Sequence, residues 1–245
     1  MSWKLPSLTL CLLLLATSDL VSAQTPDKLP PQQNYLGEIR RTPDGKLVAI
    51  PTTELAAKNV VAPKATMLVG AGEKISTLTD AARLAKDGEV IDIQPGNYRG
   101  QPAIWTQNNL IIRAVSERPV MLADGKSAEG KAIWVVRGGN VRIENIEFRG
   151  ARVASRNGAG IRFEKGYLTI QGCRFVDNEM GILTGNSVEQ SLSVFDSEFG
   201  DAPRHTGDLH HLLYVGAIGK FVLRGSRFHN GYLGHLVKSR ARENH

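Results

Sequence analysis

The chain has 245 residues, 42% of them hydrophobic and 22% charged. That is enough apolar material for a packed core, and it excludes wholesale disorder. Its 25 glycines follow no three-residue period, which excludes collagen and favours a turn-rich β protein. Lys and Arg outnumber Asp and Glu by 30 to 24, a formal charge of +6; this modest excess suits acidic partners without naming one.

Met1–Ala23 reads as a signal peptide. Lys4 supplies the positive start, Leu8–Ala16 the apolar run and Val21-Ser22-Ala23 the small residues before a cleavage site. The run is short for a bilayer span and no second one follows; an uncleaved anchor is the alternative. A secreted or periplasmic protein is expected, with no transmembrane segment beyond the signal. Cleavage removes Cys11 and leaves Cys173 as the single cysteine, so an internal disulfide is excluded and a buried, inert thiol is expected. Residues 24–65 read as a poorly packed leader. Pro26, Pro30, Pro31, Pro43, Pro51 and Pro63 punctuate it, and a Thr42-Pro43-Asp44-Gly45 turn signal precedes the apolar Leu47–Ile50.

From Met67 onward the pattern is ordered. Ile75, Leu78, Ala81, Ala82, Leu84 and Ala85 recur at helical spacing, with Ser76 or Thr77 as start and Gly88 as stop. The period then drops to two. Short strands are predicted at 90–93, 110–112, 133–136 and 141–143. Four later segments share one pattern, apolar-x-apolar-x-x-(small or apolar)-x-Phe, ending at Phe148, Phe175, Phe199 and Phe228; the phenylalanines are 27, 24 and 29 residues apart. A second apolar run lies between or beyond them, at 160–163, 181–183, 212–215 and 234–237. A β-sandwich needs turns every 8–12 residues but no such long period. A repeat in the twenties without a helix in each unit suits a right-handed parallel β-helix, in which each repeat is one coil and the phenylalanines stack. The domain is expected over 66–245, all-β, with the helix as its N-terminal cap and no capping segment at its other end. Asp177–Gln190 and Gly200–His211 read as polar loops emerging on a binding face.

Two sets of residues carry a resemblance. Gly88-Glu-Val-Ile-Asp-Ile-Gln-Pro-Gly-Asn-Tyr98 resembles the opening coil of pectate-lyase-like β-helix proteins. Asn178–Asn186, His211-Leu-Leu-Tyr-Val-Gly216 and Gly234-His-Leu-Val-Lys-Ser-Arg240 resemble a group of exported bacterial right-handed β-helix repeat proteins to which no activity is assigned. The resemblance covers about residues 68–245. It implies the fold; it fixes no reaction. Leu212 stands where that group usually carries Asn.

All six histidines fall from His205 onward. They are open to three readings: a metal site, an acid/base cluster, or a surface-polar solenoid face. Their spacing fits no zinc pattern, and no metal is expected. Lys238-Ser-Arg240-Ala-Arg242 follows an apolar strand. A lyase cutting a uronate chain must neutralise a carboxylate, remove the C5 proton and protonate the leaving oxygen. Lys238 is then the candidate base and Arg240 the carboxylate clamp, with His211 and His235 as further catalytic candidates. Some β-helix lyases carry such a Lys and Arg pair with calcium, but Gly231, Tyr232 and Leu233 stand where acidic calcium ligands belong, so no cofactor is expected. The plainer reading of the same residues is a basic, solvated turn. Tyr214, Thr184 and Asn186 are candidate sugar contacts; alternatively Tyr214 fills a gap outside the strand and Asn186 ladders with backbone groups. Nucleic acid is not expected, for want of a recognition helix or an aromatic-basic stripe. Two functions stay open: an enzyme cleaving or epimerising an acidic polysaccharide, or a non-catalytic glycan-binding or cell-envelope scaffold. The expected site is one lateral face, where the 200–211 loop, the 184–186 turn and Lys238–Arg240 converge, with Ile161, Ile182, Leu213 and Leu236 pointing inward beneath it.

Overall fold

The computed structural model describes residues 62–204 and 210–245, and the backbone of the strands Gly37–Arg41 and Leu47–Pro51. Two compact units result, Met1–Val61 and Ala62–His245. In the first, the two strands pair antiparallel, with Arg41 opposite Leu47, around the Thr42–Gly45 turn signal. The export segment and most of the leader lie outside the described residues.

The second unit is a right-handed parallel β-helix of about six coils. Each coil adds one strand to each of three parallel sheets. In the third to sixth coils, sheet I receives Asn140–Glu144, Tyr167–Gln171, Ser191–Phe195 and Lys220–Arg224. Sheet II receives Glu147–Arg149, Arg174–Val176, Glu198–Gly200 and Arg227–Phe228. Sheet III receives Ala159–Phe163, Met180–Thr184, Leu213–Val215 and Val237–Ser239.

The repeat pattern follows from this geometry. Its two apolar positions, such as Val141 and Ile143, face the core from sheet I. The fifth position turns the corner into sheet II in the left-handed region: Asn145, Gly172, Asp196 and Gly225 have φ of 54°, 61°, 47° and 62°. Gly, Asn and Asp are the residues that occupy it at least cost. The sixth position joins the coils: Ser197 Oγ accepts the Cys173 N–H at 3.1 Å, and Ser226 Oγ accepts that of Ser197 at 3.2 Å. The eighth is the phenylalanine. Phe148, Phe175, Phe199 and Phe228 are in register on sheet II and stack with centroids 5.2, 4.6 and 4.8 Å apart. Trp134 meets Phe148 edge-on at 4.9 Å and Trp105 meets Trp134 at 5.3 Å, so the two tryptophans extend the same column. Phe228 differs from the other three. It is half-buried because, among the described residues, a ring covers it on one side only. Cys173 is 1% exposed, and burial pushes its thiol up to about 12, which makes it unreactive.

The helix α1, Leu78–Leu84, starts where Thr77 caps the Asp80 N–H. Its Leu78, Ala81 and Ala82 join the core. Thr79 Oγ1 donates to Pro102 O and Gln107 Nε2 to Ala82 O. These bonds seat it beside Ala103–Trp105, the first strand of sheet III, and the helix thereby covers that strand's open edge.

Two sequence expectations are corrected. Asp177–Gln190 is not a loop: Met180–Thr184 within it is a fully buried strand of sheet III. Leu236 is not inward, since Leu213 pairs with Val237 and Leu236 is 44% exposed. The cause is register: Val237 is the coil equivalent of Leu213 and Ile182, and Leu236 that of Leu212. Leu212 and Leu213 both join the core, but Leu236, the equivalent of Leu212 one coil later, does not. A Cβ on Gly181 would strike the Leu212 carbonyl and come within 2.7 Å of the Phe199 ring, so the backbone approaches the aromatic column there as only glycine allows. Simple alternation cannot show such a difference between coils.

Candidate functional site

The register sets which side chains leave sheet III outward. Leu183, Tyr214 and Lys238 are in register on successive strands. Each of the last two is preceded, three residues earlier, by a histidine: His211 before Tyr214 and His235 before Lys238. His211, Tyr214, His235 and Lys238 therefore meet on one face.

The contacts are close. The His211 ring lies parallel to Tyr214 at 5.5 Å and 5.0 Å from the His235 ring. The Lys238 ammonium sits 5.1 Å from the Tyr214 centroid, a cation–π contact. Behind them Ala132, Ala159, Met180 and Leu183 form an apolar cluster outside the core, and Tyr214 packs against it. His211 is 6% exposed. Its N–H faces Met180 Sδ at 3.4 Å, and its Nδ1 accepts the His235 backbone N–H at 2.9 Å. Burial, and then the positive charges of Lys238, His235 and His210, lower its pKa to about 4. Neither Lys238 nor Arg240 forms an ion pair with a described residue. Arg240 is exposed, two positions past Lys238, with its backbone N–H on Val215 O at 2.9 Å.

The approach is shaped by the preceding turn. Leu233 holds φ of 57° and is 61% exposed, a strained backbone for a branched side chain at the rim of the cluster.

Thr184 and Asn186 do not join the group. Both serve the turn into the next coil: Thr184 Oγ1 accepts the Gly216 N–H at 2.8 Å, and Asn186 Oδ1 accepts that of Ala217 at 2.9 Å. The remaining described histidines scatter. His229 lies 2.8 Å from Glu198 on sheet II, His245 lies 3.7 Å from Glu243, and His210 is buried. His205 lies outside the described residues. Among the described residues no three His, Cys, Asp or Glu side chains group as metal ligands.

The His211 environment predicts an acid-sensitive fold. A histidine with folded pKa near 4 and unfolded pKa near 6.5 takes up its proton first in the unfolded chain. Its contribution is complete above about pH 6.5 and is lost as pH falls toward 4, on the order of 2–3 kcal/mol. Urea midpoints at pH 7.5 and pH 4.5 should differ clearly for the wild type and much less for His211→Asn; equal differences would exclude His211 as the source.

The chain matches no protein-family model and no curated protein. Among solved structures it is similar to pectin methylesterase PemA from Erwinia chrysanthemi, at 14% identity over 68% of this chain and 67% of that one, with a TM-score of 0.41. It is also similar to a pectin methylesterase in complex with hexasaccharide VII, at 15% identity, the same coverage and a TM-score of 0.41. A mutant pectin methylesterase in complex with hexasaccharide IV follows, at 15% identity, again with that coverage, and a TM-score of 0.35. The chemistry rests on this chain's own residues.

Proposed function

We propose that this is an exported β-helix protein that binds an acidic polysaccharide along the outer face of sheet III, with Lys238 and Arg240 as carboxylate contacts and Tyr214 as the apolar edge beside them. The observation that carries the reading is the pair of cations without carboxylate partners among the described residues, with Lys238 over the half-buried Tyr214 ring on the outer face of sheet III. An ammonium over a ring face is placed to hold charge, not to remove a proton. That favours binding over a lyase or epimerase step, in which Lys238 would act as base. Thr184 and Asn186 support the wall from within.

The test is titration of the mature protein with polygalacturonate and with its methyl ester, at low and high salt. Binding should favour the acid and weaken with salt. Lys238→Ala and Arg240→Ala should each lose about tenfold at low salt, the weight of one charge-assisted contact, without change in thermal midpoint. Equal affinity for acid and ester would sink the reading. Ultraviolet absorbance from unsaturated chain ends, growing with time and abolished by Lys238→Ala, would replace it with a lyase.

A further inference from the structure

The His211 side chain has a fixed tautomer. A neutral imidazole has one donor and one acceptor nitrogen. Nδ1 accepts the backbone N–H of His235 from the following coil at 2.9 Å, and a backbone N–H cannot reverse its role or rotate away. The ring proton is therefore on Nε2. The ring is also held in orientation, parallel to Tyr214 on the same strand. Nε2 makes no hydrogen bond to a described residue, and it is not among the sequestered polar atoms that lack one. It is left as a donor at the surface. Among the described residues, the groups whose charge bears on the ring are Lys238, His235 and His210, with no carboxylate among them. Imidazolium formation would set an Nδ1–H against the His235 N–H, so geometry opposes it as burial does.

We propose that His211 is a specificity-determining donor: its fixed Nε2–H, neutral and beside the Lys238 ammonium, takes one oxygen of a uronate carboxylate while Lys238 takes the other. This rests on the glycan-binding reading above. It assigns His211 a role other than acid or base, because the nitrogen that could accept a proton is already engaged by backbone. A methyl ester offers no second anionic oxygen and forfeits the pair.

Two measurements test it separately. Nitrogen-15 spectra of the imidazoles, recorded on the free protein, should show the Nε2–H tautomer of His211 throughout pH 5–8; an Nδ1–H tautomer, or a titration near the ordinary histidine value, would overturn the proposal without reference to any glycan. Affinities then use polygalacturonate as probe. His211→Asn keeps an oxygen for the His235 N–H but has no donor at the Nε2 position, and should lose about tenfold for the acid with no change for the methyl ester. His211→Gln restores a donor at that reach and should recover part of the loss. An Asn variant that binds polygalacturonate as well as the wild type would refute the role. Failure of the wild type itself to bind any uronate polymer would instead strike the functional reading, and the wild-type titration shows which has failed.

Discussion

Phe175→Ala lowers the unfolding free energy by about 3–5 kcal/mol, the range for removing a fully buried aromatic ring. Phe175 is 1% exposed and has a stacked ring on each side, Phe148 at 5.2 Å and Phe199 at 4.6 Å. Its neighbours cannot collapse into the space, because each is fixed by its own strand in sheet II. The cavity term therefore adds to the lost transfer energy. Phe228→Ala costs clearly less, since that ring is half-buried at the last rung. Urea unfolding followed by near-ultraviolet circular dichroism measures both; equal costs for the two variants would contradict the stacked column.

Glu179→Ala should cost about 2–5 kcal/mol. Glu179 is a carboxylate only 3% exposed, and its Oε2 accepts the N–H groups of Val153 at 3.1 Å and Gly158 at 2.7 Å. It thus ties the 152–158 excursion of one coil to the next. Truncation leaves two backbone donors without a partner, each worth about 1–3 kcal/mol when sequestered. Glu179→Gln keeps an oxygen for both and should lose far less. Hydrogen exchange of the Val153 and Gly158 amides reads the effect locally: protection lost in the Ala variant and kept in the Gln variant is the expected result, and unchanged protection in both would refute the tether.

The same physics explains the Asn178–Asn186 stretch, in which Thr184 and Asn186 were the candidate sugar contacts. Asn178 spans two backbone groups of the previous coil, donating to Phe148 O and accepting from Ala151 N, both at 2.9 Å. Glu179 follows as the tether, Gly181 admits the aromatic column, and Thr184 and Asn186 hold the next coil. Most of this stretch is solenoid carpentry, and its outward Met180 and Leu183 only line the floor on which Tyr214 rests.

The repeat was legible because a parallel β-helix writes its period directly into sequence. Each coil must turn from sheet I to sheet II with a residue that tolerates positive φ and must then fill the column, so Asn145, Gly172, Asp196 and Gly225 each precede a phenylalanine by three positions. The helix, the inert cysteine and the stacking of Phe148, Phe175 and Phe199 followed from the same local rules. The face of sheet III did not. Its register places Val237, not Leu236, at the position of Leu213, a one-residue change that alternation cannot reveal but backbone pairing enforces. Nor does composition distinguish Thr184 and Asn186, engaged with the following coil's backbone, from His211, Tyr214, His235 and Lys238, gathered outside it. Sequence alone determined that like positions stack. Only the tertiary structure decided which of them face outward together, because that depends on the register of strand pairing and on which polar groups the neighbouring coil already satisfies.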